Sequence, residues 1–121
     1  MKIKTSELTG AALDWAVAVC EKVGYVSGDT DYAADGKTYV RGTGEKSGPH
    51  YSTNWAQGGP IIEREQISIE YPREGLVCCS KWKGKPQEFW YSSGFSPLPT
   101  AMRCYVASKL GDEVEVPEGL K

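Results

Sequence analysis

At 121 residues, with 40% hydrophobic and 25% charged side chains, the chain has the size and composition of one folded domain, which excludes a disordered polymer. A formal net charge of −2 excludes the global field that gathers long nucleic acid, so any phosphate contact has to be local. Met1 to Leu8 alternates polar and apolar residues with no apolar run, and no later stretch is long enough to span a bilayer. The expectation is a cytoplasmic protein with no membrane partner.

The predicted elements begin with a helix near residues 9–23. Thr9 is a good N-cap, Leu8 and Leu13 make a hydrophobic staple, and Gly24 is the expected stop. Leu13, Val17 and Cys20 form one apolar stripe and Ala12, Trp15 and Val19 another. Such a helix is buried on two faces, against a sheet and a second subunit. Thr38 to Arg41 reads as a weak strand. Gly36 to Arg64 otherwise reads as a long loop, with Gly58-Gly59-Pro60 as a tight turn ahead of a strand at Ile61.

Beyond it the period changes to two. Ile67, Ile69 and Tyr71 alternate with Ser68 and Glu70, the pattern of a half-buried strand. Leu76 to Trp82 and Gln87 to Tyr91 flank Lys83-Gly84-Lys85-Pro86, a hairpin signal. A second helix is predicted near residues 97–110. Proline is tolerated in its first turn, Met102, Tyr105, Val106 and Leu110 form its stripe, and Gly111 ends it. The acidic tail from Asp112 reads as a short edge strand or a loose end. This order predicts a single α+β domain: a small antiparallel sheet of four to five strands with two helices packed on it.

Few residues suggest catalysis. Cys20, Cys78, Cys79 and Cys104 lack the close pairing of zinc ligands, and adjacent Cys78 and Cys79 would point to opposite faces of a strand. They read as reduced, mostly buried thiols, with no metal and no cofactor expected. His50 is the only histidine, and no nucleophile elbow accompanies it. Gly36-Lys37-Thr38 and Gly42-Thr43-Gly44 are incomplete phosphate loops, and Asp29, Asp31 and Asp35 an incomplete calcium loop; each reads as turn chemistry. Glu63 and Glu65 would share one face of a strand with Arg64 on the other. That pattern suits a solvated edge better than an acid–base pair.

The segment from Gly36 to Arg64 is different, because it interleaves glycines with aromatics and donors. Trp55 and Tyr51 are candidate stacking faces, worth about 1–3 kcal/mol per base. Gly58 and Gly59 would offer backbone amides, and Arg64, Asn54 and Arg41 would hold phosphate or ribose.

Three separated blocks carry a resemblance. They are Lys2-Ile3-Lys4-Thr5-Ser6-Glu7-Leu8-Thr9-Gly10-Ala11-Ala12-Leu13-Asp14-Trp15-Ala16-Val17, then Asn54-Trp55-Ala56-Gln57-Gly58-Gly59-Pro60-Ile61-Ile62-Glu63-Arg64-Glu65, then Pro99 through Ala101-Met102-Arg103-Cys104-Tyr105-Val106-Ala107-Ser108-Lys109 to Val114. In this order they resemble NinX-like proteins of lambdoid phages. The resemblance implies a phage accessory protein acting in the host bacterial cytosol. Small proteins of that kind often disarm host defences, and one way is to trap cyclic nucleotide or ADP-ribose-derived signals. The expectation is therefore a non-enzymatic, homo-oligomeric sponge for a nucleotide-like ligand. The alternative is a protein-binding module anchored by Trp82, Trp90 and Tyr91.

Overall fold

The computed structural model describes residues 1–27, 30–33, 35, 39–41, 48–83, 88–117 and 120, with residues 30, 31, 39–41, 82, 83 and 88–91 described by backbone alone. The glycine motifs at 36–38 and 42–44, Asp29 and the hairpin turn at 84–87 lie outside the described residues.

The elements run β1 (Lys2–Lys4), a 3-10 turn (Thr5–Glu7), α1 (Gly10–Glu21), β2 (Tyr25–Ser27), β3 (Thr30–Tyr32), β4 (Tyr39–Arg41), α2 (Trp55–Glu65), β5 (Ser68–Arg73), β6 (Leu76–Lys83), β7 (Glu88–Gly94), α3 (Pro97–Leu110) and β8 (Glu113–Glu115). The class is α+β, as expected, but the numbers are corrected. The described strands form three small antiparallel sheets, β1-β8, β2-β3-β4 and β5-β6-β7, in place of one sheet. Among the described residues there are three α-helices, not two: α3 packs on β6 and β7, α1 against α3 and β2, and α2 against α3. The predicted hairpin is β6 paired with β7, in register from Val77 opposite Gly94 to Lys83 opposite Glu88. The tail pairs as β8 along β1.

Helix α1 begins after Thr9, although the Thr9 side chain makes no capping bond. Leu8 and Leu13 are both fully buried, as a staple requires. The helix stops two residues before Gly24, at Lys22, which takes the left-handed conformation (φ 60°) and donates its amide to the Ala18 and Val19 carbonyls. The glycine at 24 serves another purpose: a Cβ there would meet the Tyr32 carbonyl at 2.9 Å. From Ala12 to Ala18 every residue of α1 is buried within this one chain, so its two apolar faces are covered without a second subunit.

The largest correction is α2. Gly58-Gly59-Pro60 is neither a turn nor the lead into a strand; it is the middle of a helix. Interior proline costs about 3 kcal/mol and each glycine about 1 kcal/mol relative to alanine. Local propensity loses here to tertiary packing. Ile61 is 2% exposed and Ile62 packs on the core, while Asn54 caps the first turn by accepting the Ala56 amide at 2.9 Å. Gly58 is what lets α2 dock. A Cβ at that position would collide with the Tyr51 carbonyl and lie 2.7 Å from the Leu98 side chain.

Helix α3 is the centre of the core. It rests on β6 and β7 and packs against α1 and α2, burying Leu98, Ala101, Met102, Cys104, Tyr105 and Val106. On β6 the inward positions are Val77, Cys79 and Lys81, all buried.

The two neighbouring glycines of α2 should separate packing from propensity. Gly58→Ala gains helix propensity but collides with backbone, so a net loss of about 1–3 kcal/mol is expected in urea unfolding. Gly59→Ala, whose added Cβ would stand 3.9 Å from the Trp55 ring, should instead stabilise by up to about 1 kcal/mol.

Candidate functional site

The most highly organised polar group lies where the C-terminal ends of α1 and α2 meet the middle of α3. Arg64 donates to both oxygens of Glu21, at 2.9 and 2.6 Å, and to Glu65 Oε2 at 2.9 Å. This is the bidentate fork that arginine geometry favours. Lys81, inward-facing on β6 and 5% exposed, donates to Glu65 Oε1 at 2.6 Å and to Ser108 at 3.2 Å. Tyr105 donates its hydroxyl to Glu21. Arg64 and Lys81 stand 5.8 and 5.6 Å from the centre of the Tyr105 ring, within cation–π range.

Electrostatics follow from this geometry. Burial works to raise the Glu65 pKa, but bonds from Lys81 and Arg64 and the charges of Lys81 and Lys109 outweigh it and hold the group at about 2. The Arg64 bonds likewise hold Glu21 below the usual carboxylate range. Arg64 is raised in turn by Glu21 and Glu65. The whole group acts as a clamp on three helices.

The residues singled out from the sequence divide between the two ends of α2. Tyr51 and Arg64 belong to the clamp end. Tyr51 is half-buried against the core; burial first, then the Glu21 charge, raises its phenol pKa, and the Arg64 charge opposes them. Trp55 and Asn54 belong to the N-terminal end, nine residues and roughly 13 Å of helix from Arg64. Gly58 and Gly59 lie between them inside the helix, and the Gly58 amide is already bonded to the Asn54 carbonyl at 2.9 Å. Arg41 lies on β4, and its side chain is outside the described residues, as are those of Trp82, Trp90 and Tyr91.

At that N-terminal end, Trp55 stands 52% exposed over a groove of about 380 Å³ lined by Ser52, Thr53, Trp55, Ser96, Pro97, Leu98 and Pro99. These residues are the cap and first turn of α3, the first residue of α2 and the two residues ahead of its cap. Two helix N-termini, each carrying a partial positive charge, therefore open on one groove beside one indole. The loop side of the groove is fixed by Asp14, a buried carboxylate whose Oδ1 accepts the Ser52 amide at 2.8 Å. Burial raises the Asp14 pKa; the Ser52 bonds and the His50 charge oppose the rise.

His50 faces Asp14 at 3.9 Å, too far for a hydrogen bond. With the His50–Asp14 hydrogen bond missing and Asp14 engaged by the Ser52 amide, these three residues do not form a serine relay. Burial pushes the thiols of Cys20 and Cys79 up to about 12 and that of Cys104 to about 11, which keeps them protonated at neutral pH. Among the described residues no three metal-ligating side chains converge, and no helix is long and apolar enough to cross a membrane.

The clamp is hidden in the sequence because Glu63-Arg64-Glu65 reads with strand periodicity, whereas it is the last turn of α2. Its signal was nevertheless present: Lys81 falls in phase with Val77 and Cys79, so a charged residue occupied a core position and required a partner.

A family model described as Bacteriophage P22, NinX matches residues 4–109, and the chain belongs to that family. No curated protein matches it.

Removing the Glu65 charge should expose the cost of the buried lysine. Glu65→Gln is expected to destabilise by about 3–5 kcal/mol at neutral pH, with most of the loss recovered in Glu65→Gln/Lys81→Met, measured by urea unfolding. The folded pKa of Glu65 lies below its ordinary value of 4.5. Its contribution is therefore complete above that value and lost as pH falls toward about 2. The stability of Glu65→Gln should vary less with pH across this interval.

Proposed function

We propose that this phage accessory protein binds and sequesters a nucleotide-derived host immune signal, of cyclic nucleotide or cyclic ADP-ribose type, without cleaving it. The observation that carries the reading is the groove at which Trp55 and the N-termini of α2 and α3 meet. An indole offers a face for a base, and the dipoles of the two helix starts favour phosphate, although Pro97 and Pro99 carry no amide hydrogen and Asn54 already takes the Ala56 amide. Asn54 caps α2 at the groove's edge, within the same first turn as the indole. In this reading Arg64, held by Glu21 and Glu65, positions α2 and does not reach ligand, and Gly58 sets the approach of the two helices.

Magnitudes then favour an assembly. One stacked base contributes about 1–3 kcal/mol and each helix N-terminus about 0.3–2 kcal/mol, whereas nanomolar capture requires about 12 kcal/mol. An open groove on one chain falls short, so a second copy closes the site and the working unit is a homo-oligomer.

A second reading, a module that masks a host or phage protein, is favoured by a separate observation. Phe95, just ahead of α3, is 89% exposed, and Tyr71 is 65% exposed, a degree of aromatic exposure that suits interface anchors.

Calorimetry against a panel of cyclic dinucleotides and cyclic ADP-ribose isomers tests the first reading. One ligand should bind and be recovered unaltered after denaturation, and Trp55→Ala should weaken it by about 5- to 100-fold. Absence of heat and of thermal shift with every ligand would remove it. A single stoichiometric protein partner, lost in Phe95→Ala and kept in Trp55→Ala, would establish the second.

A further inference from the structure

Away from the Trp55 groove, β7, α3, β1, the 3-10 turn and β8 enclose a cavity of about 250 Å³. It is lined by Lys4, Thr5, Ser6, Ser92, Arg103, Ala107, Asp112 and Glu113. Two features of its buried end are unusual. The Ser92 hydroxyl is buried and has no hydrogen-bond partner among the described residues, although buried polar atoms are nearly always satisfied. Ser92 sits opposite Cys79 in the β6–β7 register; Cys79 is fully buried, so the hydroxyl occupies the apolar face of the sheet.

Arg103 is the second feature. Its Nε donates to the Leu8 carbonyl at 2.7 Å, and no carboxylate among the described residues lies within ion-pair distance of it. Burial lowers its pKa and no neighbouring charge offsets this. Half-buried guanidinium groups ordinarily have an anionic partner, because an uncompensated charge in low dielectric is costly. The outer Nη1 lies beside Gly94, where an added Cβ would stand 3.2 Å from it and 2.6 Å from Thr100 Oγ1. A side chain at that position would crowd the guanidinium.

Of the other polar lining groups, Ser6 is exposed and the rest are accounted for. Thr5 donates its hydroxyl to the Gly111 carbonyl at 2.6 Å and its amide to the Asp112 carbonyl at 2.7 Å. Lys4 lies opposite Glu113 across the β1–β8 pair, and Lys4, Asp112 and Glu113 are all exposed. Exposed charges are screened by water, whereas the guanidinium acts in lower dielectric. The buried end therefore sets the sign of the cavity.

We propose that this cavity is a binding site for a single phosphate-type oxyanion, which accepts from the Arg103 guanidinium and the Ser92 hydroxyl. The exposed carboxylates of Asp112 and Glu113 limit it to one compact anionic group, since a second phosphate would lie against them. The site is independent of the Trp55 groove and of any nucleotide function assigned there.

The test is titration of the full-length chain with inorganic phosphate, followed by backbone amide shifts and by melting temperature, with equal ionic strength of chloride as the control. Saturable shifts at Ser92, Arg103 and Thr5 and a rise in melting temperature are expected. Ser92→Ala removes a hydroxyl that bonds to nothing else described, so it should melt no lower than the parent yet bind phosphate at least about tenfold more weakly. Arg103→Gln should abolish binding, and Trp55→Ala should leave it unchanged. A nucleoside 5′-monophosphate in a parallel titration distinguishes sources. Affinity equal to that of inorganic phosphate marks a free oxyanion site, and higher affinity marks recognition of a phosphate head group. Linear, chloride-like shifts, or equal phosphate affinity in the parent and Ser92→Ala, would overturn the proposal.

Discussion

The architecture depends on the accommodation of one buried ammonium group. Lys81 points into the core from β6, where an unpaired charge would not be tolerated. Its partner Glu65 is the last residue of α2, so neutralising the lysine determines where that helix must end. Glu65 also receives Arg64, Arg64 grips Glu21 at the end of α1, and Tyr105 of α3 closes the circuit. A requirement arising on one strand is thus passed to three helices. Such pairs contribute little net stability, because desolvation opposes them. They constrain arrangement, and α2, weakened by two glycines and a proline, has the greatest need of that constraint.

With its far end held, α2 presents its first turn beside that of α3. The clamp and the Trp55 groove are therefore opposite ends of one lever arm: ion pairs at one end, an exposed indole at the other. The residues chosen from the sequence serve both ends, Arg64 fixing the helix and Trp55 lining its mouth beside the Asn54 cap.

What was legible in the sequence had strong periodicity or clear punctuation. The stripe of α3, its Ser96-Pro97 start and the β6–β7 hairpin emerge in place, whereas the alternation predicted for β5 holds only at Ile69: Ile67 precedes the strand, and Tyr71, within the register shift between Glu70 and Arg73, is exposed. Helix α2 was not legible, because Gly58-Gly59-Pro60 is the composition of a turn and only the packing of Ile61 and Ile62 on the core and the Asn54 cap make it helical. The end of α1 was misplaced because Lys22 takes a left-handed conformation that local preference assigns to Gly24. The Arg103 cavity was invisible for a different reason. Its residues come from positions 4–6, 92, 103 and 112–113, and no spacing along the chain brings them together. Only the inward phase of Ser92, opposite Cys79, hinted that a polar atom had been placed among apolar ones.

The bare Cα at position 58 bears on how this surface can change over generations of phage. It works as a gauge block: the mouth between the two helix starts is as narrow as backbone and leucine contact permit. Any larger residue there would lever the helices apart and widen the opening in steps set by side-chain size. The groove would then change shape through one codon, while the ionic fastening at the far end keeps the rest of the molecule in place.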